Sequence, residues 1–124
     1  MGIVMTQEQK DLLLKDLCAR LPYGVKGEKY TIRMDGEFVP LIDVETIIAE
    51  DIITLNGCPG YMIRPHLFPL SSMTEEQKTS HNFLKHSAYA NPIKLVDWYN
   101  KNHFDYRGLI PMGLANDATG KNIY

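Results

Sequence analysis

The sequence predicts an α+β fold: an N-terminal helix, a small bent antiparallel sheet forming a partial barrel, two C-terminal helices and an ordered C-terminal segment. Three observations predict it. Apolar residues recur at helical spacing near the N-terminus, short alternating stretches with turn signals follow, and two helix-start signals lie in the last third. The 124 residues fit one domain, with an N-terminal helix over residues 1–24, a β region over 25–70 and a helical region over 71–124.

The first helix is predicted from its cap and its apolar stripe. Thr6 and Gln9 have the spacing of a capping box, in which each side chain accepts the other's backbone N–H. Five residues then recur at helical spacing and form one apolar face: Leu13, Leu14, Leu17, Cys18 and Leu21. Pro22 and Gly24 end the helix. On this pattern Cys18 is a buried thiol that behaves as a small hydrophobe.

A β-hairpin is predicted next. Tyr30, Ile32 and Met34 alternate with polar residues, and Asp35-Gly36 supplies a two-residue turn with positive φ. Residues 38–42 form the returning strand, where Pro40 indicates a sheet edge or a bulge.

Further strands are predicted up to residue 68. The segment 44–55 carries two β-branched pairs, Ile47-Ile48 and Ile52-Ile53, and residues 61–64 read as another short strand. About four or five short strands in this region are typical of a small bent sheet or partial barrel.

Two helices are predicted in the last third. Ser72 and Glu75 have capping-box spacing and start a helix that runs to about Ser87, with Phe83 and Leu84 as its main apolar contacts. Asn91-Pro92 starts a second helix, which should stop near residue 102. Residues 103–111 then follow a defined, non-repetitive path, and the small, polar residues 115–124 are expected to fray.

Composition limits the compartment and the partners. The net charge of −2 argues against binding duplex nucleic acid through its phosphates. The sequence shows neither a signal-peptide pattern nor an apolar stretch long enough to span a bilayer, so we expect no membrane association. We expect Cys18 and Cys58 to be reduced rather than joined in a disulfide, and reduced cysteines are typical of cytoplasmic proteins. Seven Tyr and one Trp favour a homo-oligomer, most simply a symmetric dimer.

Motif searches exclude several kinds of chemistry. The sequence contains neither a glycine-rich phosphate loop nor a nucleophile elbow. His81 and His86 are five residues apart, which on a helix turns them about 140° from each other and is poor geometry for a metal. Cys58 and His66 are read as a turn cysteine and a surface histidine. We therefore expect no catalytic residue, no metal site and no cofactor, although the sequence does not decide whether any catalysis occurs.

The densest polar and aromatic cluster spans residues 103–108, His-Phe-Asp-Tyr-Arg-Gly. In a binding interpretation, Tyr106 offers a stacking face and a hydroxyl, and Arg107 offers a planar guanidinium fork for phosphate or carboxylate. The residues assigned to such a site are His103, Asp105, Tyr106, Arg107, Trp98 and Arg64.

A structural interpretation fits the same residues. Phe104 and Tyr106 would pack inward, and Asp105 would pair with Arg107 or cap the next turn. Trp98 on the preceding helix is then part of the core, and Arg64 at a strand end closes the sheet through an ion pair.

Three parts of the chain carry a family resemblance: residues 5–26, residues 63–65 together with 71–76, and residues 97–100 together with 103–110. They resemble a family of short, uncharacterised proteins from Bacteroides-type gut bacteria and their phages and prophages. The strand region 28–61 and the last residues depart from the family pattern. The resemblance implies a phage or prophage accessory protein and identifies no ligand.

Three function classes remain open. The first is a non-catalytic accessory binding protein, acting in the host cytoplasm, that sequesters a host protein or a small anionic, nucleotide-derived immune signal (an anti-defence role). The second is a structural or adaptor protein-interaction module of a phage or mobile element. The third is a small hydrolase or nuclease using His103 and Asp105, against which the absence of catalytic motifs counts. Clustered arginines and aromatic residues in an intersubunit pocket would separate the first class from the second.

Overall fold

The computed structural model describes residues 5–33, 35–58 and 60–124, so the strand position predicted for Met34 lies outside the described residues. Four helices are present in these ranges: α1 Gln7–Arg20, α2 Ala49–Gly57, α3 Glu75–His86 and α4 Pro92–Lys101. The strands are β1 Lys26–Ile32, β2 Phe38–Thr46, β3 Tyr61–Pro69, β4 Phe104–Asp105 and β5 Asn116–Asp117. The predicted α+β fold is confirmed.

The strands form one open, mixed sheet. Its order is β2-β1-β3-β4, and β5 also pairs with β3. The antiparallel prediction holds for β1, which pairs with β2 and β3 in that sense. It is wrong for the two short strands, because β4 and β5 return from the C-terminal part of the chain and run parallel to β3.

The hairpin between β1 and β2 has the predicted turn residues, although its loop is longer than two residues. Gly36 has a φ of 85°, a conformation that glycine adopts without steric cost. The Asp35 carboxylate accepts the backbone N–H of Glu37 at 3.0 Å. The pairing register slips between Lys29 and Tyr30, where Tyr30 lies opposite Pro40, and among the described strands β2 pairs only with β1 at the sheet edge.

The strand predicted over residues 44–55 is wrong, because β2 ends at Thr46 and α2 follows. Asp51 caps this helix by accepting the backbone N–H of Ile48 at 2.9 Å. Ile52 and Leu55 are three residues apart on the buried face, whereas Ile53 is 70% exposed. Burial of one helical face therefore outweighs the β propensity of the isoleucines.

The start of α3 lies two residues beyond the predicted cap. Thr74 is the N-cap: its hydroxyl accepts the backbone N–H of Gln77 at 3.1 Å, and its backbone N–H donates to Oε1 of Gln77 at 2.9 Å. Ser72, the predicted cap, instead donates its hydroxyl to the carbonyl of Pro69 at 2.7 Å. The capping box at Thr6 and the Asn91 cap of α4 are confirmed.

The main core lies between α1, α2 and β3, and the loop after β4 closes it. Its buried apolar members are Leu13, Leu17, Val25, Ile47, Ile52, Leu55, Met62, Ile63, Leu67, Leu109, Leu114 and Ala115. The prediction for Cys18 is wrong, because that side chain is exposed. The inward face of α1 includes Asp16 and Arg20 instead.

The expected fraying of residues 115–124 is also wrong. β5 pairs with β3, and Ala118 is fully buried. The Tyr124 hydroxyl donates to the carbonyl of His66 at 2.7 Å and accepts the backbone N–H of Lys26 at 2.8 Å. Strand pairing and the Tyr124 hydroxyl thus fix this end of the chain against β1 and β3. None of the helices in residues 5–33, 35–58 and 60–124 is long and apolar enough to cross a bilayer.

Candidate functional site

The predicted site segment begins directly after α4 and turns sharply into β4. His103 has a φ of 62°, a left-handed conformation uncommon for non-glycine residues. Phe104 then enters the second core cluster, whose buried members are Met73, Tyr99 and Phe104 itself. The segment is therefore anchored by its aromatic residues, as the structural interpretation predicts.

Asp105 holds the loop that follows it. Its two carboxylate oxygens accept the backbone N–H groups of Leu109 and Ile110, both at 2.9 Å. The residue is 7% exposed, so its acceptors point at the backbone and away from solvent. Asp105 therefore caps the next turn, as one form of the structural interpretation predicts.

Arg107 is engaged on two sides. Its Nε donates to Oδ1 of Asp16 at 3.1 Å, and its Nη2 donates to the hydroxyl of Tyr106 at 2.9 Å. The guanidinium carbon lies 4.8 Å from the Tyr106 ring centroid, in the range of a cation–π contact. Only 16% of the Arg107 side chain is exposed. The partner is Asp16 on α1 rather than Asp105.

Asp16 also binds Arg20, one helical turn further on. Nε of Arg20 donates to Oδ2 of Asp16 at 2.8 Å, and Nη2 of Arg20 donates to the Phe104 carbonyl at 2.6 Å. Both side chains of this pair are fully buried. One carboxylate therefore holds two guanidinium groups and ties α1 to the site segment. Sequence reasoning missed Asp16 and Arg20; their i, i+4 spacing was the available signal.

Two nitrogens in this region are buried without a hydrogen-bond partner among the described residues: Nη1 of Arg20 and Nδ1 of His103. The His103 ring stacks on Tyr124 with centroids 3.6 Å apart. Burial, together with the charges of Arg20 and Lys26, lowers the pKa of His103 to about 4. His103 is therefore neutral at pH 7, and Asp105 is occupied by backbone donors, which counts against an acid–base pair made by these two residues.

Trp98 belongs to an aromatic stack rather than to the arginine cluster. Its ring lies 5.4 Å from Phe104 and 5.9 Å from His81. His81 also contacts the Tyr99 hydroxyl through Nε2 at 2.6 Å, and Tyr99 stacks on Tyr106 at 5.2 Å. One face of Trp98 thus packs on the second core cluster.

Arg64 lies on the sheet. It is in β3 opposite Glu28 of β1, and its guanidinium carbon is 5.5 Å from the ring centroid of Tyr30. The structure therefore groups four predicted site residues in one segment, places Trp98 behind Phe104, and puts Arg64 against β1.

An apolar groove lies elsewhere, between α3 and α4. It has a volume of about 460 Å³ and is lined by Thr79, Ser80, Phe83, Leu84 and Trp98. Phe83 was predicted as an inward contact, but it is 55% exposed. α3 contributes no buried residue to the fold. The side of Trp98 that does not pack on Phe104 completes an apolar surface on this helical hairpin.

The prediction for Phe83 is wrong, although a lone phenylalanine in a polar helix normally packs that helix against the core. Here His81 is half-buried against the rings of Trp98 and Tyr99 on α4, and Leu84 is half-buried as well. Other exposed apolar side chains on the same hairpin are Tyr89, Ile93 and Val96.

Comparison with known proteins finds no match for this chain among protein-family models, curated proteins or solved structures. Within the described residues, no three His, Cys, Asp or Glu side chains are grouped so that they could hold a metal ion.

Proposed function

We propose that the protein is a non-catalytic protein-interaction module of the structural or adaptor kind, and that it binds another chain through the α3–α4 groove. The resemblance stated above favours a phage or mobile element as its source. The observation that carries the proposal is that α3, with 12 residues and none buried, borders an apolar groove with Phe83 55% exposed. Helices this short take most of their stability from tertiary packing, and apolar surface next to an aromatic-lined groove is typical of protein-binding sites.

The geometry of the 103–108 segment supports this class over ligand sequestration. The acceptors of Asp105 are used by the loop, and Arg107 is held by Asp16 and Tyr106. A guanidinium that already makes an ion pair has fewer donors left for a ligand.

A small anionic ligand is the second candidate, and one observation favours it. Asp16 is shared by two guanidinium groups, and Nη1 of the fully buried Arg20 has no partner among the described residues. An unsatisfied buried N–H of a charged group is costly, and a phosphate or carboxylate would satisfy it through a charge-assisted hydrogen bond.

Native mass spectrometry of the protein purified from its host tests the proposal. We expect an additional polypeptide chain on the wild-type protein and its loss in Phe83→Ser. Tyr89→Ser is the matched control, because Tyr89 is an 81% exposed aromatic residue on the same hairpin that does not line the groove. It should keep the additional chain.

Two results would overturn the proposal. A bare chain of 14.2 kDa would remove the protein partner. A small molecule that is retained by both the wild-type protein and Phe83→Ser would favour the anionic-ligand function instead.

A further inference from the structure

We infer that residues 116–124 form a strap that detaches from β3 in acid before the rest of the chain unfolds, because the closed strap lies against two buried histidines. The strap begins with β5 and ends with Tyr124. It shares no residue with the α3–α4 groove, so the inference is independent of the proposed function.

The strap is attached at two points, and each lies against a histidine. In the first, β5 pairs with β3 at His66, and the Ala118 backbone N–H donates to the Leu67 carbonyl at 2.8 Å. In the second, the Tyr124 ring stacks on the ring of His103 with centroids 3.6 Å apart. The Tyr124 hydroxyl also donates to the His66 carbonyl at 2.7 Å.

The strap buries little apolar surface. Ala118 is the only side chain of residues 116–124 that is fully buried, and the others are exposed or half-buried. A segment with few buried apolar contacts opens at a lower free energy than the domain as a whole. Detachment of the strap therefore precedes global unfolding.

Both histidines have buried ring nitrogens that lack a hydrogen-bond partner among the described residues. They are Nδ1 and Nε2 of His66, which is 2% exposed, and Nδ1 of His103. An imidazolium carries two N–H donors, and burying a charged donor without a partner is costly. The closed strap therefore favours neutral rings, whereas a ring in contact with water has a pKa of about 6.5.

His103 is the stronger of the two proton-sensitive groups. Burial, followed by the charges of Arg20 on α1 and Lys26 on β1, lowers its pKa to about 4. Since the pKa is lower in the closed state, the closed strap is fully favoured above pH 6.5 and loses this advantage as the pH falls. If the ring regains its full aqueous pKa, detachment is about 30-fold more favourable at pH 5 than at pH 7.5.

His66 acts in the same direction but is partly compensated. Burial lowers its pKa, Glu28 of β1 raises it from 3.5 Å away, and Lys121 of the strap lowers it further. Detachment removes Lys121 and leaves Glu28, so His66 binds a proton more readily once the strap is open. The strap carboxylate of Asp117 has a pKa below 3.8 because it accepts hydrogen bonds from Thr119, so it stays ionised down to pH 5.

Hydrogen exchange of the Ala118 backbone N–H, followed by NMR, tests the inference, because detachment separates this group from Leu67. Each rate is divided into the intrinsic exchange rate at the same pH to give a protection factor. We expect the protection factor of Ala118 to fall by up to about 30-fold between pH 7.5 and 5. It should remain below that of the Leu17 N–H, which lies in the fully buried part of α1 and reports opening of the main core.

His103→Asn should remove most of the fall in the Ala118 protection factor, because the main proton-sensitive group is gone. His86→Asn is the matched control, since His86 is exposed on α3, and it should keep the wild-type fall. Three results overturn the inference: an Ala118 protection factor that changes by less than about twofold with pH, one that equals the Leu17 value at every pH, and a full fall in a folded His103→Asn variant.

A further variant covers the case in which circular dichroism shows that His103→Asn is unfolded. Tyr124→Phe keeps the stacked ring and loses the hydroxyl that bonds the His66 carbonyl. It should lower the Ala118 protection factor about fivefold at pH 7.5 and leave the Leu17 value unchanged. An unchanged Ala118 value, or an equal loss at both positions, would show that the strap does not open on its own.

Discussion

Asp16 is central to the contacts by which the first helix holds the segment that follows the last one, and Arg20 of the same helix adds a hydrogen bond to the Phe104 carbonyl. Its carboxylate accepts Nε of Arg20 and Nε of Arg107 at 2.8 and 3.1 Å. Removing the carboxylate charge would leave a fully buried guanidinium without its counter-charge, and breaking a buried pair in this way is far more costly than losing an exposed one.

We predict that Asp16→Asn lowers the free energy of unfolding by about 3–5 kcal/mol. Arg107→Ala should cost about 1–3 kcal/mol, because it removes hydrogen bonds to Asp16 and Tyr106. Arg33→Ala is the control, since the Arg33 side chain is 63% exposed and its 3.7 Å contact with Asp35 is on the surface. It should change stability by less than about 0.5 kcal/mol. Urea denaturation measures all three.

The Arg107 result also discriminates between the two interpretations of the 103–108 segment. If Arg107→Ala changes the free energy of unfolding as little as Arg33→Ala does, Arg107 does not stabilise the fold. That result would favour the anionic-ligand function over the protein-interaction function.

His103 makes stability depend on pH. Its pKa falls from 6.5 to about 4 on folding, because of burial and the charges of Arg20 and Lys26. Between pH 6.5 and about 4, the His103 imidazole is therefore protonated in the unfolded chain and neutral in the folded chain. The stabilisation is complete above 6.5 and is lost as the pH falls through this window, with a slope of at most about 1.4 kcal/mol per pH unit for one proton.

We predict that His103→Asn reduces this loss of stability between pH 6.5 and 4, measured as urea midpoints across the window. Asparagine is chosen because it tolerates the positive φ of this position. Some slope should remain, since burial also lowers the pKa of His66 despite the opposing effect of Glu28. Identical pH profiles for the wild-type protein and His103→Asn would contradict the assignment.

At the scale of elements, the sequence predicted what local chemistry determines. The caps at Thr6 and Asn91 are formed by atoms within three residues of each other, so a local pattern suffices to find them. The turn at Gly36 is local in the same sense. The overall α+β class followed from these boundaries and from the periodicity of α1 and β1.

The elements that were mispredicted depend on distant contacts. α2 is a helix because Ile52 and Leu55 are buried on one face and Asp51 pairs with Lys29 of β1 at 2.9 Å. β4 and β5 are two-residue strands that exist only through pairing with β3. The residues next to each of these elements in the sequence do not include the residues they contact, so a local pattern could not predict them.

The candidate site likewise has a part that the sequence predicts and a part that depends on distant contacts. The segment 103–108 is recognisable in the sequence as a run of polar and aromatic residues. Whether Arg107 faces a ligand or the interior depends on Asp16, which is 91 residues away along the chain. The exposure of Phe83 likewise depends on how α3 lies against α4, which periodicity alone does not determine.

At the scale of the whole molecule, the proposed binding surface is largely separate from the contacts that hold the fold, and Trp98 belongs to both. The α1–β4 ion-pair cluster and the two apolar cores hold the chain together, whereas the α3–α4 hairpin adds a helix without a buried residue and an apolar groove. A change in the groove should therefore alter association while leaving the rest of the fold intact, and a change at Asp16 should do the reverse.

Site-specific photo-crosslinking in the host tests most directly whether the α3–α4 groove is the binding surface. A benzophenone amino acid would replace Phe83 in one variant and Ile53 in another, since Ile53 is 70% exposed on α2 and lies outside the groove. We predict that irradiation yields a covalent adduct with another polypeptide, a second copy included, from position 83 and not from position 53. Equal adducts from both positions, or none from position 83, would contradict the account.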